Sequence, residues 1–182
     1  MWVPGVADIL KRIVSLKTNL PGFKILISKR DISNAPKRVL VHPDVARIFT
    51  HQFHGKDIEI GENFPIGFSA LPLGFLSSPA YFSLVTSTTQ SIHKSKKPSD
   101  TVRNGADNYE CFLYVDDAIF TEAELGSRPR DSLDCWVHIA RQVLGQDCIN
   151  EQKATEEGAR ASRAAVLGFL IDTELTTIEA PL

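Results

Sequence analysis

Apolar residues recur at helical spacing close to the start of the chain. Val6, Ile9, Leu10 and Ile13 fall at i, i+3, i+4 and i+7 among Lys11, Arg12 and Lys17, and Pro21-Gly22 closes the run. This predicts an amphipathic helix over residues 5–19. Phe23 to Ser28 reads as a strand leading through Lys29 and Arg30 to Asp31. Residues 43–47 are expected to form one helical turn, and Arg47 to Phe53 a strand. The Gly, Pro and Asn signals between Gly55 and Ala70 predict short strands with turns. A serine before Pro79 starts a helix over 79–93, with its hydroxyl as the expected cap and Tyr81, Val85, Thr88 or Thr89, and Ile92 on one face. Polar residues from His93 to Arg103 form a loop carrying Lys94, Lys96 and Lys97.

Two short apolar runs then flank an acidic pair, Cys111-Phe112-Leu113-Tyr114-Val115 and Ala118-Ile119-Phe120 around Asp116-Asp117. Asp is poor inside strands and good in turns, so the stretch reads as a hairpin with the acids at its bend. Beyond it, Ser132 is the expected cap of a helix bearing Leu133, Trp136, Val137, Ala140 and Leu144, with Trp136 in the core and Gly145 as the stop. A turn with Asn150 and Lys153 precedes a strand over Val166 to Asp172, for which Thr176 to Ile178 is a hairpin partner. Strands, helix, hairpin, helix and hairpin in this order predict an α+β fold, an antiparallel sheet with helices packed on one face.

Composition narrows what this fold does. The chain of 182 residues is long enough for one domain with a sizeable core, and 43% hydrophobic with 23% charged residues is ordinary for a soluble globular protein. No apolar run approaches the ~18–20 residues that cross a bilayer, and Met1-Trp2-Val3-Pro4 lacks the features of a secretion signal. An intracellular protein without a membrane partner is therefore expected. Cys111, Cys135 and Cys148 are odd in number and have no CxxC spacing, which favours free thiols. His51 and His54 lie in HxxH spacing without a Cys or acidic partner at a fitting distance and read as an accident of a strand and turn. A net charge of −2 argues against strong autonomous nucleic-acid binding.

The acidic bend carries the candidate chemistry. Adjacent carboxylates at the edge of a core repel one another unless a cation sits beside them, and oxygen-only ligands suit Mg²⁺ or Mn²⁺ better than zinc. A solvated Asp-Asp turn is the alternative that spacing alone leaves open.

These segments together resemble the palm of reverse transcriptases. Tyr114-Val115-Asp116-Asp117 looks like the family's YxDD box. Leu71-Pro72-Leu73-Gly74 with Ser78-Pro79 and Phe82 is similar to LPxG…SP…F, and Lys29-Arg30-Asp31-Ile32-Ser33-Asn34-Ala35 to K-x-D-x-x-x-A. Asn150 and Lys153, Leu167-Gly168-Phe169, Asp172-Thr173 and Pro181 resemble the closing N-x-x-K…LGF…DT…P portion. Val41-His42-Pro43-Asp44 and the DT…P ending are similar to those of DIRS-like, tyrosine-recombinase retrotransposons and related LTR-type elements.

The resemblance implies a polymerase palm with a ferredoxin-like core over residues 23–182, including partial fingers. It makes residues 1–22 a helical remnant of the fingers–palm junction, with thumb and RNase H absent. It further implies RNA-directed DNA polymerase activity with two Mg²⁺ or Mn²⁺ ions. Asp31 and Asp116 would bridge the ions, Asp117 would support the site, and the Ile32 carbonyl would lie beside the metal. Tyr114 would touch the primer end, Leu73 and Gly74 would meet template or nucleotide, and Ala35 and Pro36 would line the nucleotide site. Lys153 is the candidate proton donor to the departing pyrophosphate. The partners implied are a primed RNA or DNA template, dNTPs and the remaining fingers, thumb and RNase H of a parent polyprotein. The family's aromatic five residues after the first aspartate is replaced here by Pro36. Pro36 and the missing subdomains favour the alternative of a catalytically inactive relic. A palm-like nucleotide cyclase is a third reading that leaves the LPxG…SP and N-x-x-K…LGF segments unexplained.

Overall fold

The computed structural model describes residues 5–54, 62–98 and 108–180. Arg103, Pro181 and residues 55–61 of the Gly55 to Ala70 stretch singled out above lie outside them. In chain order the elements are α1 (Val6–Asn19), β1 (Ile25–Asp31), α2 (Pro43–Ala46), β2 (Thr50–Phe53), β3 (Phe64–Gly67), α3 (Ser78–Lys94), β4 (Cys111–Tyr114), β5 (Asp117–Ala123), α4 (Arg128–Leu144), α5 (Glu151–Glu156), β6 (Arg163–Val166), β7 (Phe169–Asp172) and β8 (Thr177–Glu179).

The centre is a three-stranded antiparallel sheet in the order β1-β5-β4. Residues alternate across its faces, so two sets of apolar side chains build two cores. Cys111, Leu113, Ala118 and Phe120 pack with Phe82 of α3 and Leu133, Trp136 and Ala140 of α4. Ile25, Ile27, Phe112, Ile119 and Ala123 pack instead with Ile9, Ile13 and Leu16 of α1 and with Val166 and Ile171 of the β6-β7-β8 sheet. Helices therefore cover both faces rather than the one expected, because β1 and β5 carry apolar residues at odd and even positions alike. A strand buried on both faces has no polar side to leave in water.

Other local readings shift for identifiable reasons. The buried face of α3 is Ser78, Phe82, Thr86, Thr89 and His93, one position on from the predicted stripe. Tyr81 turns away from that face and lines a groove of about 390 Å³ with Val39, Val45, Phe49 and Leu71. Ser78 is the first residue of α3, and its hydroxyl donates to the Pro72 carbonyl (2.8 Å) rather than capping the helix. The second long helix begins at Arg128, four residues before Ser132, since Pro129 fits the first turn. Arg47–Phe49 is a 3-10 turn, leaving only Thr50–Phe53 as strand. Val166 to Asp172 is not one strand: Leu167 (φ 49°) and Gly168 (φ 81°) make a two-residue turn between β6 and β7.

Ser132 is buried and takes part in an internal polar network. Glu122 of β5 accepts from Arg128 Nε at 2.7 Å, with both side chains only 1% exposed. Ser132 Oγ donates to Glu122 (3.3 Å), and His93 Nε2–H donates to the Ser132 carbonyl (2.9 Å). Burial holds the His93 imidazole neutral, with its pKa lowered from 6.5 to about 4. This network joins β5, α3 and α4 behind the sheet and fixes the strand whose first residue is Asp117.

Candidate active site

The acidic residues meet at one end of the central sheet. In the β1–β5 ladder Asp31 lies opposite Asp117, and in the β4–β5 ladder Tyr114 lies opposite Asp117. Directly opposed residues point to the same face, so Asp31, Asp117 and Tyr114 form a row across three strands. The Ile32 N–H donates to the Asp116 carbonyl at 2.9 Å, which makes the neighbouring Asp31–Asp117 pair a non-hydrogen-bonded one. Side chains approach most closely at such pairs. The bend itself is Val115-Asp116, and Asp117 is the first residue of β5 rather than part of the turn. Val115 adopts φ 54°, a conformation that a β-branched side chain resists, and strained backbone of this kind gathers at functional sites.

Asp31 is held on its other side by the segment that leads into α5. The Asn150 N–H donates to the Asp31 carbonyl (2.9 Å), and Asn150 Nδ2 to Asp31 Oδ2 (3.1 Å). Asn150 Oδ1 accepts from the Lys153 N–H at 3.2 Å as the cap of α5. One helical turn carries Lys153 back over that cap, and its Nζ reaches Asp31 Oδ1 at 2.7 Å. Lys29 pairs with Glu157 at 3.0 Å just beyond the other end of α5. Gly158 follows, where a Cβ would collide with the Ala154 carbonyl and the Arg30 guanidinium, so only glycine lets the chain pass. Lys29, Arg30, Asp31, Asp117, Lys153 and Glu157 line a recess of about 20 Å³.

The electrostatics follow from this crowding. Burial raises the Asp117 pKa above its ordinary value of 3.8, and the charges of Asp116 and Asp31 raise it further, against Lys153 and Lys29. The Lys153 ammonium is raised above 10.5, chiefly by its hydrogen bond to Asp31. All the acidic donors are carboxylate oxygens, a set that suits a hard divalent cation. Among the described residues no three His, Cys, Asp or Glu side chains converge into a ready-made metal cluster.

The remaining predicted site residues form a second group. Ala35 and Pro36 open a 3-10 turn (Ala35–Arg38), where Pro36 occupies a first-turn position that needs no N–H, so the proline is accommodated without loss of a backbone bond. Arg38 staples this turn to Asp147 at 2.5 Å. Downstream, Leu71 N–H donates to the Val39 carbonyl (3.0 Å) and Val41 N–H to the Ser69 carbonyl (2.9 Å). The loop carrying Leu73 and Gly74 is thereby pinned to the chain that follows Asp31, though neither residue lines the carboxylate recess. Leu73 is exposed, and Gly74 has φ 86° with nothing within 4 Å of the position a Cβ would take. Asn150 had a place in the sequence pattern but no role. Only the antiparallel pairing of Cys148–Asn150 with the chain at Asp31–Ser33 discloses it as the residue that grips Asp31.

No protein-family model and no curated protein matches this chain. Solved structures do. The foamy viral protease-reverse transcriptase bound to an RNA/DNA hybrid aligns with 92% of this chain at a TM-score of 0.58 and 21% identity, over 19% of its own length. The foamy viral protease-reverse transcriptase dRH in complex with double-stranded DNA gives 0.60 and 21%, over 89% of this chain and 23% of that one. Apo telomerase from Candida tropicalis, truncated from the C-terminal domain, gives 0.59 and 13%, over 98% and 40%. The chain thus has a reverse-transcriptase-like fold and spans between about a fifth and two fifths of the length of these neighbours.

Proposed function

We propose that this chain is the palm, with part of the fingers, of an RNA-directed DNA polymerase from a retroelement of DIRS-like or related LTR type. The observation that carries the reading is the opposition of Asp31 and Asp117 across adjacent strands, with Asp116 at the bend beside them, in a fold shared with reverse transcriptases. Asp31, Asp116 and Asp117 would hold two Mg²⁺ or Mn²⁺ ions, with the Ile32 carbonyl alongside. Bound there, such ions stabilise charge on the attacking and leaving oxygens of nucleotidyl transfer. The chain's own contribution is rigidity: the Glu122–Arg128 pair fixes β5, and the Ile32–Asp116 bond fixes the bend against β1. Tyr114 at the strand end would support the primer terminus. The segment after Pro36 and the Leu73-Gly74 loop, tied together by backbone bonds, would border nucleotide and template.

The test is extension of oligo(dT) on poly(rA) with dTTP and Mg²⁺ or Mn²⁺, comparing this chain with its Asp116→Asn/Asp117→Asn variant. Extension that falls by roughly a hundredfold or more in the variant is the expected result, since losing a few kcal/mol of charge stabilisation has that effect on rate. A second reading, an inactive relic of the same fold, is favoured by the engagement of both Asp31 carboxylate oxygens by Lys153 and Asn150. A folded chain that never extends a primer would establish it.

A further inference from the structure

The recess beside the acidic row is neutralised from within: Lys29, Arg30 and Lys153 face Asp31, Asp117 and Glu157. Asp31 has one carboxylate oxygen on Lys153 Nζ and the other on Asn150 Nδ2. Its charge is thus directed toward α5 even though its backbone lies opposite Asp117. This explains why the acids stand in register without converging on a common point. We infer that the Asn150–Lys153 turn is a guard on Asp31, in which Lys153 supplies the positive charge while no divalent cation is bound and yields its place when one arrives. The inference rests on the polymerase reading of the acidic row and adds a role for residues outside it.

Two structural features make Lys153 a removable partner. Its side chain is 51% exposed while that of Asp31 is only 11% exposed, so the lysine, not the aspartate, is free to swing into water. Asn150 keeps its grip on Asp31 through the backbone as well as the amide, so the aspartate remains placed after the lysine leaves. The Asn150 side chain that caps α5 is also the one that touches Asp31. A change in the direction of the carboxylate is thereby transmitted to the start of this six-residue helix. Asn150 is a positioning residue on this account, and Lys153 a competitor for the site.

The experiment is titration of the full chain with Mn²⁺ alone, reading free Mn²⁺ by electron paramagnetic resonance, for the parent and for Lys153→Gln, Lys153→Arg and Asp116→Asn/Asp117→Asn. Removing the competing ammonium should tighten Mn²⁺ binding about twofold to fivefold in Lys153→Gln, the scale set by exposed ion pairs, while Lys153→Arg stays near the parent. Hydrogen exchange of the α5 amides should rise on Mn²⁺ addition in the parent and start high in Lys153→Gln. Equal or weaker Mn²⁺ affinity in Lys153→Gln overturns the guard, as does an absence of binding in both. Loss of binding in the Asp116→Asn/Asp117→Asn variant reports on the polymerase site separately. The guard can therefore fail while that reading stands, whereas Mn²⁺ binding that persists in this variant defeats the reading and the guard with it.

Discussion

At the scale of single residues, Asp117 carries most of the unfavourable electrostatics of the site. Its carboxyl is half-buried and faces two other acids, so the folded chain holds its proton to a higher pH than the unfolded chain does. A raised carboxyl pKa means the native state binds more protons than the unfolded state in the window above 3.8, and stability falls as pH rises through that window. Asp117→Asn removes the charge and the slope together. In metal-free buffer near neutral pH the variant should gain up to about 1 kcal/mol, a rise in Tm of no more than ~4 °C, because the site is partly open to water. Thermal melts from pH 4 to 8 check this, and a variant that melts below its parent throughout would show that Asp117 is stabilised by its surroundings. The acidic pair, its apolar flanks and Trp136 were all legible as residues, since each lies inside an unmistakable local pattern. The grip of Asn150 on Asp31 was not, because 119 positions separate them and only the folded chain brings them together.

At the scale of elements, the periodicity of α1 and the alternation around the acidic hairpin were readable, but the side each helix takes on the sheet was not. Strands β1 and β5 are apolar on both faces, and nothing in such a pattern says which face a given helix will cover. The face of α3 was displaced for a related reason. Thr86 and Thr89 are buried with their hydroxyls bonded back to carbonyls of their own helix, and His93 is buried in a polar network that hydropathy does not anticipate, while Tyr81 is half-exposed over a groove. That network depends on Arg128, which shields Glu122 inside the protein. Arg128→Met would leave a carboxylate buried, with burial already pushing its pKa up. The expected loss is about 3–5 kcal/mol, the usual consequence of breaking a buried pair from one side. Urea denaturation should register it as a lower midpoint at an unchanged slope. The Glu122→Leu/Arg128→Met double variant should recover part of the loss, and no recovery would indicate that Arg128 acts through packing over Tyr109 rather than through charge.

At the scale of the whole molecule, fold and charge point in different directions. The fold is shared with structures solved with an RNA/DNA hybrid or double-stranded DNA, yet the chain carries 20 Lys and Arg against 22 Asp and Glu. The recess beside the acidic row commits Lys29 and Lys153 to carboxylates and Arg30 to backbone carbonyls instead of presenting them to phosphate. Lys94 is likewise paired, with Glu110 at 3.1 Å. Affinity for a polynucleotide grows with the number of phosphates neutralised, and each contact steepens the dependence on salt. Most basic side chains of the described residues stand in ion pairs with carboxylates, which leaves a minority for that task. A labelled primer–template should therefore bind this chain no more tightly than about 10 µM at ~150 mM salt, within the range of non-specific association. Fluorescence anisotropy across ~50 to 200 mM salt reads both the affinity and its slope, and the slope should correspond to no more than about three phosphate contacts. Nanomolar binding with a steep slope would overturn this expectation and assign template grip to this chain itself. Weak binding alongside detectable primer extension would instead separate the two tasks, leaving catalysis with the acidic edge and template grip outside the described residues.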